Sequence, residues 1–533
     1  MPRFSVVTPV YNPPADILRA CLRSVAEQTL SDWEHLLVDD ASTQPHVRQI
    51  LDAAAAADPR VKVLYRSENG GIVAASNDGL DLATGELVGL LDHDDEIVPE
   101  ALAAMHEAFA SDETIDVAYS DEDHLDPEGM RIHPFYKPDF SPERLRAQNY
   151  ICHFLVTKRA LITEVGGFRP GFDGSQDYDL VLRLTEKARR VHHVPRILYH
   201  WRQLAGSVAA DMLAKPYAYE AGRRAVQEHC DRVGIDAVVE ERDLPGTYRV
   251  RRRVQGEPLV SVIIPTRGTS GRVWGAERIF VVEAVRNLVE RSTYQHLEFV
   301  VVVDTATPPE AIRALERVGG DRLKLVWYDR PFNFAEKMNV GALNSAGEYL
   351  LLLNDDVELI ADDSVEVLLA LAQAPDVAMA GAKLLFADGT LQHAGHVYNV
   401  AAYHTFFRWW GGELGPRALL VVERECSGVT AAAAVVKASV FDEVGGFCTA
   451  FPGNFNDVDF SLKIREKGYR IVWSPNASWY HFESQSRDPK VEVWEHEQIN
   501  ARWLHRLVAD PYYNPNLAPG RDDWVELPFR SGA

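Results

Sequence analysis

The chain has 533 residues, of which 46% are hydrophobic and 25% charged, and carries a formal net charge of -23 from 78 acidic and 55 basic residues. That length exceeds one ordinary core and calls for several domains, while the charge argues against a surface built to grip nucleic acid or an anionic membrane. Five cysteines, Cys21, Cys152, Cys230, Cys426 and Cys448, form no C-x-x-C pair and suggest neither a zinc cluster nor a disulfide framework.

The N-terminal residues enter a strand pattern at once, so no signal peptide is expected. Residues 4–8 are a short apolar run stopped by Pro9, which reads as a buried strand. Residues 15–28 space Ile17, Leu18, Cys21, Leu22 and Val25 along one helical face. A strand at 35–38, a helix at 47–57 and a strand at 61–65 follow. Alternating strands and helices imply an α/β fold with a mainly parallel sheet. Such sheets bind ligands beyond the carboxyl ends of their strands. Asp39-Asp40 and Asp92-His93-Asp94 both fall at strand ends. Arg249, Arg251, Arg252 and Arg253 read as a solvated strand or linker. No apolar run reaches the roughly 20 residues of a membrane span. The expected location is therefore cytoplasmic, with any membrane contact peripheral, on the inner face of the plasma membrane.

The chain repeats itself. Ser5-Val-Val-Thr-Pro-Val returns as Ser261-Val-Ile-Ile-Pro-Thr, and His35-Leu-Leu-Val-Asp as Phe299-Val-Val-Val-Val-Asp304. The acidic segment ending at Asp95 returns at 346–356, Val165-Gly-Gly-Phe at 444–447, Gln176-Asp-Tyr-Asp at 456–459, and Tyr199-His200 as Tyr480-His481. Six matches in one order predict two tandem domains, at 1–245 and 258–508. Residues 246–257 are then a linker and 509–533 a tail. Asp356 and Asp457 lie farther apart than Asp94 and Asp177, so the second copy carries an insertion, assigned to the aromatic stretch 403–410. That stretch either shapes an acceptor site or is a surface loop anchored by Trp409 and Trp410.

In an extended segment residues i and i+2 point the same way, so Asp92 and Asp94 are expected to face one site. Paired carboxylates attract a hard divalent cation, which can bridge a diphosphate leaving group. Asp177 and Asp179 open a helical pattern, with Asp179 suited to a cap and Asp177 to the cleft. A hydroxyl nucleophile benefits from a carboxylate base, and Asp177 and Asp457 are the candidates. The matched positions of His200 and His481 nominate both as metal ligands, alongside Asp92, Asp94 and Asp356, for Mg²⁺ or Mn²⁺. His192, His193 and His393 have no matched support and read as structural.

These residues resemble glycosyltransferase family 2, inverting enzymes of the GT-A fold, twice over. The opening segments, with Pro9 and Tyr11 in one copy and Pro265 in the other, resemble the family's first nucleotide-binding strand. Asp39 and Asp40, and Asp304 in the second copy, match its Asp-Asp element, which implies contact with base and ribose. Asn69 to Asn77 resembles the segment before the D-x-D strand, and Asp92-His-Asp94 the D-x-D element itself. Asp177 matches the base, although Gln176 replaces the usual Glu. The closing segment at 200–207 resembles the one that supplies a metal-binding His. The second copy resembles the rhamnosyl- and galactofuranosyltransferase-like branch through Phe332-Asn-Phe-Ala-Glu-Lys-Met-Asn339, Asn454-Phe-Asn-Asp457 and the segment at 481–486. Asp355 and Asn339 are its implied donor contacts. Thr305 stands where the first copy has Asp40, and Asn354 where it has Asp92.

The resemblance implies an enzyme with two metal-dependent modules. Each takes a UDP- or dTDP-sugar donor and an oligosaccharide, polysaccharide or lipid-linked glycan acceptor of a bacterial surface pathway such as O-antigen, capsule or cell wall. It implies no nucleic-acid partner and leaves room for peripheral association with membrane transport or polymerase machinery. The alternative reading keeps one active module and makes the C-terminal copy a glycan-binding or scaffolding domain. A sugar nucleotidyltransferase would need a basic Gly-rich loop where Thr8-Pro-Val-Tyr-Asn stands.

Overall fold

A computed structural model describes residues 2–203, 216–482 and 491–527. The chain divides into two compact units, Met1–Ser141 with Leu145–Val250, and Pro142–Arg144 with Arg251–Ala533. Among the described residues no helix is long and apolar enough to cross a membrane.

The first unit is built on one sheet. Its strands lie in the order Val61–Tyr65, Trp33–Asp39, Phe4–Val10, Leu87–Leu90, Leu155–Lys158, Ile115–Leu125, Arg190–Arg202, Glu96–Ile97. The first four are parallel, as the alternation of strands and helices predicts. Beyond them the sheet is mixed, because Leu155–Lys158 runs antiparallel to both of its neighbours. The strand expected at residues 4–8 extends to Val10, and helix Ala15–Ala26 buries Leu18, Cys21 and Val25. Ile17 and Leu22 stay half-buried at the edge of that stripe.

The second unit repeats the order strand for strand: Leu323–Tyr328, Leu297–Asp304, Val260–Thr266, Tyr349–Leu353, Ala433–Lys437, Val377–Leu385, Arg470–His481, Val357–Leu359. Identical order with little identity of core side chains means that apolar periodicity, rather than particular residues, specifies the sheet. Part of the expected linker is a strand: Tyr248–Arg252 pairs with Ala237–Glu241. Residues after 508 pack back onto the second unit. Asp510 accepts from the Tyr398 backbone N–H at 2.7 Å, and Trp524 stacks on the buried ring of Phe406, centroids 5.0 Å apart.

The segment 403–410 belongs partly to a hairpin in which His396–Tyr398 pairs with Ala402–His404. Trp409 and Trp410 are 37% and 59% exposed.

Candidate active sites of the two modules

In the first module the acidic segment does not continue as a strand. The Asp95 N–H donates to the Asp92 carbonyl at 3.2 Å, closing a turn. The expectation that Asp92 and Asp94 face one site rested on extended backbone, and the turn changes the partner. Asp92, Asp95 and His153 bring ligand atoms within 4.8 Å of one another. Asp94 stays near enough for its charge to raise both neighbouring carboxyls. His93 donates from Nδ1 to the Pro9 carbonyl at 2.9 Å, tying the turn to the first strand.

Asp177 begins helix Gln176–Lys187 and accepts from the Asn149 amide at 3.0 Å. Burial lifts its carboxyl above the usual range, while His153 pulls it down. Asp92 is lifted in the same way, by burial first, with Asp94 and Asp177 adding to the rise and His153 opposing it. Asp92, Asp177 and His153 therefore share one electrostatic neighbourhood. Asp179, expected as a cap, is instead buried between Arg183 at 2.7 Å and Arg169. That leaves Asp177 as the carboxylate of the pair turned to the cleft.

The register of the last long strand corrects the pairing of His200 with His481. Glu96 stands opposite His200, whereas its counterpart Glu358 stands opposite Tyr480, and Val357 opposite His481. His200 thus matches Tyr480, and Trp201 matches His481. A one-residue slip turns a side chain to the other face of a sheet. His200 bonds the buried Asp123 carboxylate through Nδ1. The imidazole beside Asp92 comes from His153, which stacks on Tyr199 with centroids 4.5 Å apart. Tyr199 in turn donates to Asp95.

The nucleotide-side motifs gather at the ends of the first two strands. Val10 is in register with Asp39, and the Asp40 N–H donates to the Val10 carbonyl. The buried Asp40 carboxylate accepts from Arg66 at 2.6 Å and from the Gly70 and Gly71 N–H groups at 2.9 and 2.8 Å. Asn69 donates to the Asp40 carbonyl at 3.1 Å. Asp40 therefore organises the loop that leads into helix Gly71–Leu82. Asp39 accepts from the Ser42 N–H at 3.2 Å, and Tyr11 is exposed.

Asn77 is tied to the fold. Its amide donates to the Phe168 carbonyl at 2.9 Å and accepts from the Phe168 N–H at 2.8 Å. Asn339 holds Phe447 at the same two distances. Each amide spends one N–H and one oxygen lone pair here, so these residues clamp the Gly-Gly-Phe turn. The turn must be glycine at Gly167 and Gly446: both have positive φ, and a Cβ would meet the clamping oxygen at 2.6 and 2.5 Å.

In the second module a cavity of about 450 Å³ brings the motifs together. Pro265, Asn354, Asp355, Asp356, Asp457 and His481 all line it, with Tyr403 and Phe407 from the aromatic stretch. His481 Nε2 lies 3.1 Å from Asp356 Oδ1. Its Nδ1 faces the Gln392 amide oxygen at 2.5 Å, which commits that nitrogen as the donor, and Nε2 accepts from the Asn354 amide N–H at 3.0 Å. A cation shared by His481 and Asp356 would take that lone pair from the Asn354 amide. Among the described residues the buried Asn354 Oδ1 has no hydrogen-bond donor. Asp356 and His481 are ligand types that a divalent ion takes. Asp355 accepts from the Thr266 hydroxyl at 2.6 Å, and burial with Asp356 beside it pushes its carboxyl up to about 7. Asp304 is held by the buried Lys337 at 2.6 Å and by Arg267 at 3.1 Å. Asp457 starts helix Asn456–Glu466, and its neighbour Asp459 is bound by Trp503 and Arg502. The closing residues 204–207 and 483–486 lie outside the described residues.

Comparison with known proteins is consistent from end to end. The sequence pattern described as Glycosyl transferase family 2 matches residues 5–164 and 261–445. A protein of Sinorhizobium fredii, y4gI, is 40% identical over 98% of this chain and 58% of its own length. The O-antigen biosynthesis protein RfbC of Myxococcus xanthus is 38% identical over 97% of this chain and 40% of its own. The chain thus spans about half the length of these relatives. Among solved structures, S. aureus TarS 1-349 in complex with UDP-GlcNAc aligns at 22% identity over 43% of this chain and 66% of that one, with a TM-score of 0.36. With the family pattern covering more than half of the sequence and falling once on each sheet, the chain belongs to glycosyl transferase family 2 and carries its α/β fold twice.

Proposed function

We propose that both modules transfer sugars, with inversion, from nucleotide-diphosphate donors to hydroxyl groups of a growing bacterial surface glycan. The observation that carries this reading is the single cavity lined by Asp355, Asp356, His481 and Asp457. It offers a cation-and-diphosphate end and a carboxylate within one space. Likeness to RfbC along nearly the whole chain favours O-antigen or a related polysaccharide as the product.

Asp457 and Asp177 take the proton of the acceptor hydroxyl as it attacks the anomeric carbon. Attack from the side opposite the diphosphate inverts the centre. Asp177 is suited to the work because burial makes its carboxylate a stronger base. Asp39 and the loop organised by Asp40 bind the nucleoside end of the donor in module one, with Pro9 and Tyr11 beside them. Pro265, Asp304 and Asp355 serve module two. Asp92, Asp95 and His153 would hold Mg²⁺ or Mn²⁺ in module one, as would Asp356 and His481 in module two. When bound, that ion supplies neutralisation of charge on the departing diphosphate. Domain limits at 1–245 and 258–508 remain part of this proposal.

A second reading, favoured by Thr305 and by Asn354 in place of Asp92, leaves the C-terminal module as a glycan-binding domain. Asp177→Asn and Asp457→Asn, assayed separately with a panel of nucleotide sugars, discriminate. Loss of a distinct linkage in each supports two working sites. Full transfer surviving Asp457→Asn supports the second reading, and full transfer in both variants removes the proposed base.

A further inference from the structure

The short strand Leu391–His393 and the hairpin of His396–Tyr398 with Ala402–His404 carry three imidazoles to one point. His393, His396 and His404 offer nitrogens that all lie within 4.8 Å of one another. Their ring centroids are 5.0, 5.0 and 4.9 Å apart, and the rings are inclined to one another by 79°, 80° and 78°. Rings packed only to exclude water have no reason to be so evenly disposed. Three imidazoles on one tetrahedral ion, with N–metal bonds of about 2.0–2.1 Å, would have centroids roughly 5 Å apart.

The nitrogens are chemically poised as well. His393 Nδ1 and His404 Nδ1 face each other at 2.8 Å, so a proton or a cation must lie between them. His396 is buried, and among the described residues its Nδ1 has no hydrogen-bond partner. The Thr430 N–H approaches His393 Nε2 at 3.2 Å and holds the metal-free proton on Nδ1. An entering cation displaces that proton, and the Thr430 contact gives way.

We propose that His393, His396 and His404 form a second cation site in the C-terminal module, separate from Asp356 and His481, that takes a borderline ion of the zinc class. Three imidazoles select such an ion over Mg²⁺ or Ca²⁺, which prefer oxygen. Asp457 is a neighbour of the site and not a ligand: its Oδ2 lies 4.0 Å from His396 Nε2, the ring nitrogen turned away from Nδ1, and the fourth position is left to water. Gln392 and His393 are consecutive, so one strand serves both sites: Gln392 bonds His481, and His393 joins the triad. Resting on the reading of Asp457 as a base, a zinc ion on His396 places positive charge beside that carboxylate and weakens it as a proton acceptor.

The test uses the full chain, stripped with a chelator and titrated with Zn²⁺ and, as a spectroscopic probe, Co²⁺, without donor or acceptor. One equivalent of zinc and the visible absorption of four-coordinate Co²⁺ are expected. His404→Ala and His396→Asn should each lose that equivalent with an unchanged circular dichroism spectrum, and Asp356→Asn should keep it. No zinc binding by the wild-type chain, or full stoichiometry in both histidine variants, overturns the site. So does loss in Asp356→Asn with retention in His404→Ala, which would assign the ion to His481. Because binding is read without turnover, its failure is distinguishable from failure of the transferase reading.

Discussion

His481 lies 3.1 Å from Asp356, at the sheet position that Trp201 holds in the first module. The two modules thus bring an imidazole to their carboxylates by different routes: one from the end of the last long strand, the other from His153 ahead of strand Leu155–Lys158. His481→Ala should weaken Mn²⁺ binding in module two, and Gln392→Ala, which frees the ring's other nitrogen, should do so by about 10–100-fold. His153→Ala should do the same in module one, and His200→Ala should not. Titration of free Mn²⁺ by electron paramagnetic resonance, with a nucleoside diphosphate present, reads each effect.

Asp177→Asn and Asp457→Asn remove a proton acceptor without changing shape. Each should slow its own transfer step by about 10²–10⁴-fold while donor affinity holds. Burial raises Asp177, so its ionised, working form is reached only at higher pH than for an ordinary carboxylate. The rate of module one should therefore fall on the acid side from a higher pH than a solvent-exposed Asp would give. Initial rates against pH, measured in the Asp457→Asn background, test this. An acid limb that survives Asp177→Asn would assign it elsewhere.

Much of this was legible before any coordinates. Apolar periodicity located the parallel strands, and the repeat located Asp177 and Asp457. Three features were beyond it for definite reasons. His153 matches Ala432 in the second sheet, so an argument from repetition cannot see it. The Tyr-His pairs align by letter but not in space. Both sheets carry the same net register shift, so His200 stands opposite Asp123 and Tyr480 opposite the equivalent Leu385, and the second Tyr-His pair lies one position farther along its strand. A shift of one residue reverses which side chain faces the cleft. The turn at Asp92 is the third case, since strand ends are where local propensity is weakest and hydrogen bonding decides.

Asp355 should make the second module's stability depend on pH. Its carboxyl sits at about 7 in the fold, against 3.8 for the free side chain. The folded state therefore holds the proton more tightly than the unfolded chain. Stability should fall as pH rises between those two values and level off above the upper one. Asp355→Asn removes the buried charge, so it should raise the melting temperature at pH 8 and change it little at pH 4. A gain that is equal at both pH values would point to packing instead of ionisation.

Asn77 and Asn339 give the sharpest separation of structure from binding. Each makes two hydrogen bonds to one backbone residue of the Gly-Gly-Phe turn. Truncation to Ala leaves a partly buried N–H and carbonyl without partners, at a cost of about 1–3 kcal/mol. Asn339→Ala should lower the urea midpoint by a corresponding amount without changing the slope. If the side chain instead contacted the nucleotide, as the family resemblance suggests, the loss would appear in donor affinity with stability intact. Gly446→Ala supplies the control. It disturbs the same turn from the other side, through a Cβ 2.5 Å from the Asn339 oxygen, and touches no donor contact proposed above. In the Asn339→Ala background that clash is gone, leaving the strain of positive φ and a tight 3.0 Å approach to Phe441 Cε1, so the two substitutions together should cost less than the sum of their separate effects.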